Sequence, residues 1–365
     1  MVLFYQSHGL NLEQAVLLKT ILSLSILLLE VPSGYLADRL GRKFCLVAGS
    51  GIWIVGWLFY CFGDSFAIFA VAEILSGIAA SLISGADTAI AYETLLQLNK
   101  ESYYRSYQGR LVAIAGISEA VCGLIGAAIA QINLSYPFYL QTLCLIIYFG
   151  IALTLIEPEV DRQIVKNKPA INLKAIAWQF FRHSDRLRWL ILLSSTFSAA
   201  SFLIVWLNQG YFLEIELPIA AMGITWAGFH LLMSVASLNA ARLENALGTK
   251  KVFLVLCLVL ACSYILLGSI SSMVGIAAIS LIYMVRGTVS PLILNLINQQ
   301  IPSNIRATVL SLNSFTFRLC FIIIAPIIGA ISSNYSLSLA LSISGCFFGI
   351  AGSICWFYSF NKTSE

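Results

Sequence analysis

An all-α, polytopic membrane protein is the architecture this sequence predicts, and two features of its composition and patterning lead there. Of 365 residues, 59% are hydrophobic and only 10% are charged, with a mean hydropathy of +0.89. That balance lies far outside soluble globular domains. The apolar residues are also gathered into long runs, each close to the roughly 20 residues that a helix needs to span a bilayer. These runs are continuously apolar rather than alternating, which argues against barrel strands.

Eleven such runs follow one another near 13–33, 44–63, 66–93, 107–131, 135–156, 189–213, 219–241, 252–271, 273–298, 306–331 and 335–358. The first carries Lys19, the third Glu73 and Gly77, and the fourth Glu119 among Gly116, Gly123 and Gly126. The run at 189–213 ends in Trp206, Asn208, Gln209 and Tyr211, and the next holds His230. Arg286, Pro291, Asn295 and Asn298 lie in 273–298, and Arg318 and Pro326 lie in 306–331.

Charge orders these spans across the membrane. Of 21 Lys and Arg residues, all but Lys19, Arg286 and Arg318 fall in alternate connections: Arg39, Arg42, Lys43; Lys100, Arg105, Arg110; Arg162 to Arg188; Arg242, Lys250, Lys251; Arg306; and Lys362. The opposite connections, such as Gly63-Asp64-Ser65 and Glu214 to Pro218, hold none. The positive-inside rule makes the basic side cytoplasmic, together with the C-terminus. The net charge of +4 thus expresses topology, and no nucleic-acid partner is implied.

The connection Gly34-Tyr-Leu-Ala-Asp38-Arg39-Leu-Gly41-Arg42-Lys43 carries the strongest functional signal. Two glycines suit a tight turn, with one acid and three bases around them. It closely resembles the loop between the second and third helices of major facilitator superfamily transporters: Gly34, Asp38, Gly41, Arg42 and Lys43 match that pattern position for position. Arg242 to Lys251 reads as a worn second copy. Ile305-Arg306-Ala307-Thr308 opens its helix much as Tyr104-Arg105-Ser106-Tyr107 does, so the halves look like weak repeats.

The resemblance implies two six-helix bundles: residues 1–156, a cytoplasmic linker over 157–188, and residues 189–365. About eleven of twelve helices are present. Met1 to Ser7 is too short to span, and Met1-Val2-Leu3-Phe4-Tyr5 reads as the last turn of a truncated first helix, one begun upstream of the assigned start or lost. No cleavable signal peptide precedes the first run. In the linker, Leu173, Ile176, Ala177 and Phe180 follow helical spacing with Lys174 and Arg182 nearby, which fits a short amphipathic helix on the inner membrane surface; an unstructured tether fits as well.

The resemblance also implies that the Gly34–Lys43 connection latches the cytoplasmic helix ends in one conformational state. Arg39, Arg42 and Lys43 would pair with an acid at the end of the fourth helix, Glu93 first and Asp87 second, and Asp38 would lie at the start of the third helix. The alternative is a set of independent solvated charges.

Ionisable groups inside the spans are costly unless paired or functional. Lys19 and Glu73 lie at similar depth and can pair, for structure or for coupling. Glu119, Arg286 and Arg318 lie near mid-depth at about 1.5 Å per residue. Glu119 is the best candidate proton carrier; alternatively it neutralises Arg286 or Arg318. Those arginines suit an anionic solute or a fixed counter-ion, because guanidinium stays charged. Asn208, Gln209 and Asn295 are candidate cavity residues, whereas Trp206 and Tyr211 serve equally as interfacial anchors. His230 reads as a packing residue.

The nine cysteines lack metal-ligand spacing, and no nucleotide-binding loop or nucleophile–base constellation stands out. An enzyme, a metal and a cofactor are therefore not expected. The resulting reading is a secondary transporter of a small organic solute, proton-coupled, working as a monomer in the bacterial inner membrane. It leans to efflux of drug-like or metabolite compounds. The alternatives are an organic-anion uptake or exchange transporter, and a non-transporting remnant or sensor.

Overall fold

The computed structural model describes residues 1–100, 103–158, 185–301 and 306–361. Among them are twelve helices: α1 Val2–Ser7, α2 Leu12–Leu40, α3 Arg42–Phe62, α4 Phe66–Gln97, α5 Tyr104–Ala130, α6 Tyr136–Thr154, α7 Asp185–Glu214, α8 Ile219–Leu247, α9 Thr249–Ser269, α10 Val274–Gln299, α11 Arg306–Asn334 and α12 Leu337–Asn361. Each of the eleven apolar runs became one of the helices α2 to α12. Among the described residues ten helices are long and apolar enough to cross a membrane, and Ile114–Ala130 of α5 is a shorter apolar stretch. Large apolar side chains stay on the surface, Leu238 at 82% exposure and Leu231 at 65% among them. Such a surface would aggregate in water and is stable against lipid. Most of the linker, 159–184, lies outside the described residues, and so does the amphipathic segment expected there.

The chain forms two compact units. One comprises Met1–Leu17, Glu119–Ala128 and Leu173–Glu365; the other comprises Leu18–Ser118 and Ile129–Asn172.

In the first unit α7 is the central helix, packed by α10, α11 and α12. Leu190, Ile191, Leu193, Phe197, Ala200, Leu203, Ile204 and Leu207 are all buried, and a helix apolar all round is one enclosed by neighbours. Tyr264 of α9 donates from its hydroxyl to the carbonyl of Ala200 at 2.6 Å. The short α1 also docks here, with Val2, Phe4 and Tyr5 buried. Its first turn leaves backbone N–H groups without helical partners, and Gln209 Oε1 accepts from Val2 N–H at 2.8 Å.

In the second unit α3 packs on α4 and α6. The expected loop over Gly34–Lys43 is nearly absent. The helix α2 continues through Pro32 and Gly34 to Leu40, and α3 starts at Arg42. Gly41 alone makes the corner, at φ 106° and ψ 157°, a region open essentially to glycine. Gly34 lies inside the helix with open space where a Cβ would be, so the tight turn needs one glycine and not two. At about 1.5 Å per residue the 29 residues of α2 reach some 44 Å, longer than the roughly 30 Å hydrocarbon core. The Asp38–Lys43 charges therefore ride on a helix that outruns the apolar layer.

The suspected repeat is exact in length at this corner. A 29-residue α2, Gly41 and a 21-residue α3 are matched by a 29-residue α8, Gly248 and a 21-residue α9. Gly248 too has positive φ, at 80°.

Replacing Gly41 by Ala forces an unfavourable backbone and drives a methyl into the Glu157 carboxylate, 2.8 Å from the Cβ position. Thermal unfolding in detergent should show a loss of about 1–3 kcal/mol. Gly34→Ala, in an open helix interior, should be neutral or gain about 0.5–1 kcal/mol. Equal effects at both positions would refute the single-glycine corner.

Candidate functional site

The corner between α2 and α3 gathers four charges. Arg42 Nη2 lies 2.5 Å from Asp38 Oδ1 and 3.3 Å from Glu93 Oε1, and Nε lies 3.4 Å from the same Glu93 oxygen. Asp38 sits on the last turn of α2, and reaches the start of α3 through Arg42. Glu157, immediately after α6, was not singled out from the sequence. Its carboxylate accepts from the backbone N–H of Arg42 at 2.7 Å and of Lys43 at 2.6 Å. These are orphan donors of α3, whose N-cap is a glycine without a side chain, and a helix N-terminus favours an anion. The available signal was an acid following an apolar run directly before Pro158. Arg39 is exposed, and neither it nor the Lys43 side chain forms an ion pair among the described residues. Asp87 is exposed and turned to its own neighbour, accepting from Thr88 N–H at 2.5 Å. It is not brought to the corner.

Lys19 of α2 and Glu73 of α4 form an ion pair, with side-chain exposures of 3% and 2%. Two charges removed from water must be matched, and here each lies against the other. The pair joins two helices of the second unit and touches no cavity described here.

A second intramembrane constellation lies in the first unit. Glu119 Oε2 of α5 is 2.8 Å from His230 Nδ1 of α8. The helices come close because a side chain at Gly123 would collide with Trp226, and one at Gly223 would meet Ala127; small residues at such crossings let backbones approach. Gly126, by contrast, faces open space. His230 is 5% exposed, and neither ring nitrogen makes a hydrogen bond of good geometry, so the Nδ1–Glu119 approach is a close contact. The His230 ring lies against Trp226 and Tyr283 at centroid distances of 4.8 and 5.7 Å. Arg286 of α10 acts electrostatically on Glu119 and Tyr283 without an ion pair. Glu119 therefore takes neither arginine as its contact partner, and His230, read from sequence as packing, is that partner. An isolated histidine offers no signal of this, because its role depends on a residue over 100 positions earlier. Arg318 of α11 lies over the Phe317 ring at 5.9 Å.

Arg286 lines a cavity of about 290 Å³ formed by α7, α10 and α11. Of the polar residues expected around a cavity, none lines this one. Asn208 is fully buried with both amide atoms lacking hydrogen bonds. Gln209 holds α1, and Asn295 is exposed. Tyr211 is a packing tie, its hydroxyl 2.6 and 2.8 Å from the carbonyls of Ile270 and Ser272.

A family model described as Major Facilitator Superfamily matches residues 1–325. An uncharacterized MFS-type transporter of Methanocaldococcus jannaschii is 23% identical over 335 residues, covering 86% of this chain and 82% of that protein. The MFS-type transporter YxaM of Bacillus subtilis (strain 168) is 37% identical over 84 residues, only 21% of its own length. Among solved structures, the nucleoside transporter NupG superposes with a TM-score of 0.77 at 13% identity, covering 98% of this chain and 93% of that one. A D-xylose-proton symporter gives 0.76 at 13%, covering 99% and 91%. At such identity these structures speak for the fold alone.

Breaking the Lys19–Glu73 pair from one side should be severe. Lys19→Met or Glu73→Gln alone is expected to cost about 3–5 kcal/mol by leaving a buried charge unmatched, and the double variant Lys19→Met/Glu73→Leu should recover most of it. Thermal unfolding of the three purified variants tests this. A double variant no better than either single one would show that the pair does more than neutralise itself.

Proposed function

Because the chain belongs to the major facilitator superfamily, we propose that it is a proton-coupled secondary transporter that moves a small organic solute by alternating access. The chain is an integral, multi-pass membrane protein and a transporter by family; coupling, direction and solute class are our reading. We assign the moving bundles to residues 1–156 and 189–365, the cytoplasmic link to 157–188, and the C-terminus to the cytoplasmic face of a bacterial inner membrane, with the monomer as the working unit. Efflux of drug-like or metabolite compounds is the direction we favour, on the prevalence of efflux members in bacteria.

The observation that carries the coupling is the Glu119–His230 contact. A carboxylate and an imidazole at 2.8 Å form a joint proton site, since the pair holds one proton more or less according to its surroundings. The contact joins the Glu119–Ala128 stretch of α5 to α8 inside one compact unit. In the alternate state that stretch would part from α8, so that protonation and conformation are linked through the same pair. The Arg42–Asp38–Glu93 cluster, closed on α3 by Glu157, would act as the latch. Charge-assisted contacts of this kind suffice to bias states that differ by a few kcal/mol.

Proteoliposome flux tests the coupling. Glu119→Gln should abolish pH-gradient-driven flux while leaving solute counterflow, because only the proton-carrying half of the cycle is lost. Undiminished pH-driven flux would remove Glu119 as carrier and turn attention to Glu73. For the latch, Asp38→Asn should leave the protein folded while changing thiol-reagent labelling of native cysteines. Identical labelling in folded protein would discard the latch.

A further inference from the structure

We propose that the cavity between α7, α10 and α11 binds a small aromatic carboxylate bearing a hydroxyl group, with Arg286 as its anion anchor. This names the solute class for the transporter proposed above and rests on that reading for carriage, though not for binding.

Among the described residues, Arg286 is the only charged one that lines the cavity. Its guanidinium cannot shed its charge, and it makes no ion pair or hydrogen bond among the described residues. Glu119, a carboxylate on which it acts electrostatically, is in contact with His230 instead. A lone cation at the wall of a cavity within the membrane calls for an anion. One cation without a second balances a monoanion, and the planar fork of a guanidinium suits a carboxylate held through two parallel bonds.

The remaining walls restrict what carries that carboxylate. The cavity measures about 290 Å³, at the lower end of small-molecule pockets, which suits a small solute. One wall is aromatic: Phe202 and Phe317 both line the cavity and meet edge to face at 5.7 Å, a surface for a ring. The other is hydroxylated, with Ser194, Ser198 and Ser201 on one face of α7 at helical spacing. Ser201 already donates its proton to the Phe197 carbonyl at 2.7 Å, so it offers only acceptor capacity. Asn313 Oδ1 is buried at the lining with no hydrogen-bond partner. The unmatched Asn313 oxygen selects a solute that brings an O–H, since an unmatched polar atom is costly. Carboxylate, ring and hydroxyl together describe the hydroxybenzoate class.

The decisive comparison uses the unaltered full chain in detergent, titrated calorimetrically with 4-hydroxybenzoate and with its neutral isostere 4-hydroxybenzyl alcohol. The acid should bind at least roughly tenfold more tightly, the gain of a charge-assisted bidentate contact over neutral bonds. Arg286→Gln should erase that preference, and Asn313→Ala should reduce the preference for 4-hydroxybenzoate over benzoate. Equal affinity for acid and alcohol, or no binding of either, overturns the proposal on wild-type protein, whatever the variants do. Proton-driven flux of other solutes without binding of the acid would sink this site and leave the transport reading standing. Binding of the acid without any flux would do the reverse.

Discussion

A bilayer core offers no water to hydrogen-bond a stray polar group or to solvate a lone charge, and that single constraint organises this molecule. Its backbone groups are satisfied within long helices, and its intramembrane ions are placed by what can neutralise them. Lys19 finds Glu73, and Glu119 finds His230. Arg286, which finds no such partner among the described residues, faces a cavity. The two paired acids differ in setting. Lys19 and Glu73 are shut away from solvent on both sides, whereas Glu119 is 57% exposed and His230 6% exposed by side chain.

The same constraint acts at the helix ends, where chains must turn without leaving donors and acceptors stranded. The two repeated corners solve it differently. At the first, the free N–H groups of α3 are taken by Glu157. At the second, the Lys250 carbonyl accepts from Trp356 Nε1 at 2.7 Å, and Thr249 donates to Glu244 across Gly248 at 2.8 Å. In each case the sixth helix of the half, or the residues just past it, closes on the start of the third. The first corner sets a carboxylate on backbone N–H groups beside the Arg42–Asp38–Glu93 cluster; the second ties an indole to a carbonyl and a hydroxyl to a carboxylate.

The fold was almost entirely legible, because hydropathy reports the same physics that the bilayer imposes. All eleven long helices were visible as runs, the Lys19–Glu73 pair followed from asking which charges share a depth, and the Arg42–Glu93 pair followed from the family resemblance of the Gly34–Lys43 connection. Helix boundaries were less legible: α2 ignores Pro32 and runs on to Leu40, since one proline removes a single backbone bond while the residues after it remain good helix formers. Glu157 was hidden because its partners are backbone N–H groups, which no sequence pattern displays. Asn208 and Gln209, adjacent in sequence and grouped as cavity residues, point to different ends: one amide is sealed in the core and the other clamps α1.

His230 marks where such reading fails and why. An intramembrane histidine is cheap to carry when neutral, so its presence raises no demand for a partner in the way that Lys19 or Arg286 does. The demand comes from the other side, from Glu119, a carboxylate that must be matched. Its two arginine candidates were chosen because full charges are conspicuous in sequence, yet a titratable partner suits a mobile proton better. In an Arg–Glu pair only the carboxylate can change its charge, since the guanidinium keeps its proton, whereas in a His–Glu pair both members are titratable. Pairing Glu119 with His230 leaves Arg286 without an ion partner among the described residues, at the wall of a cavity.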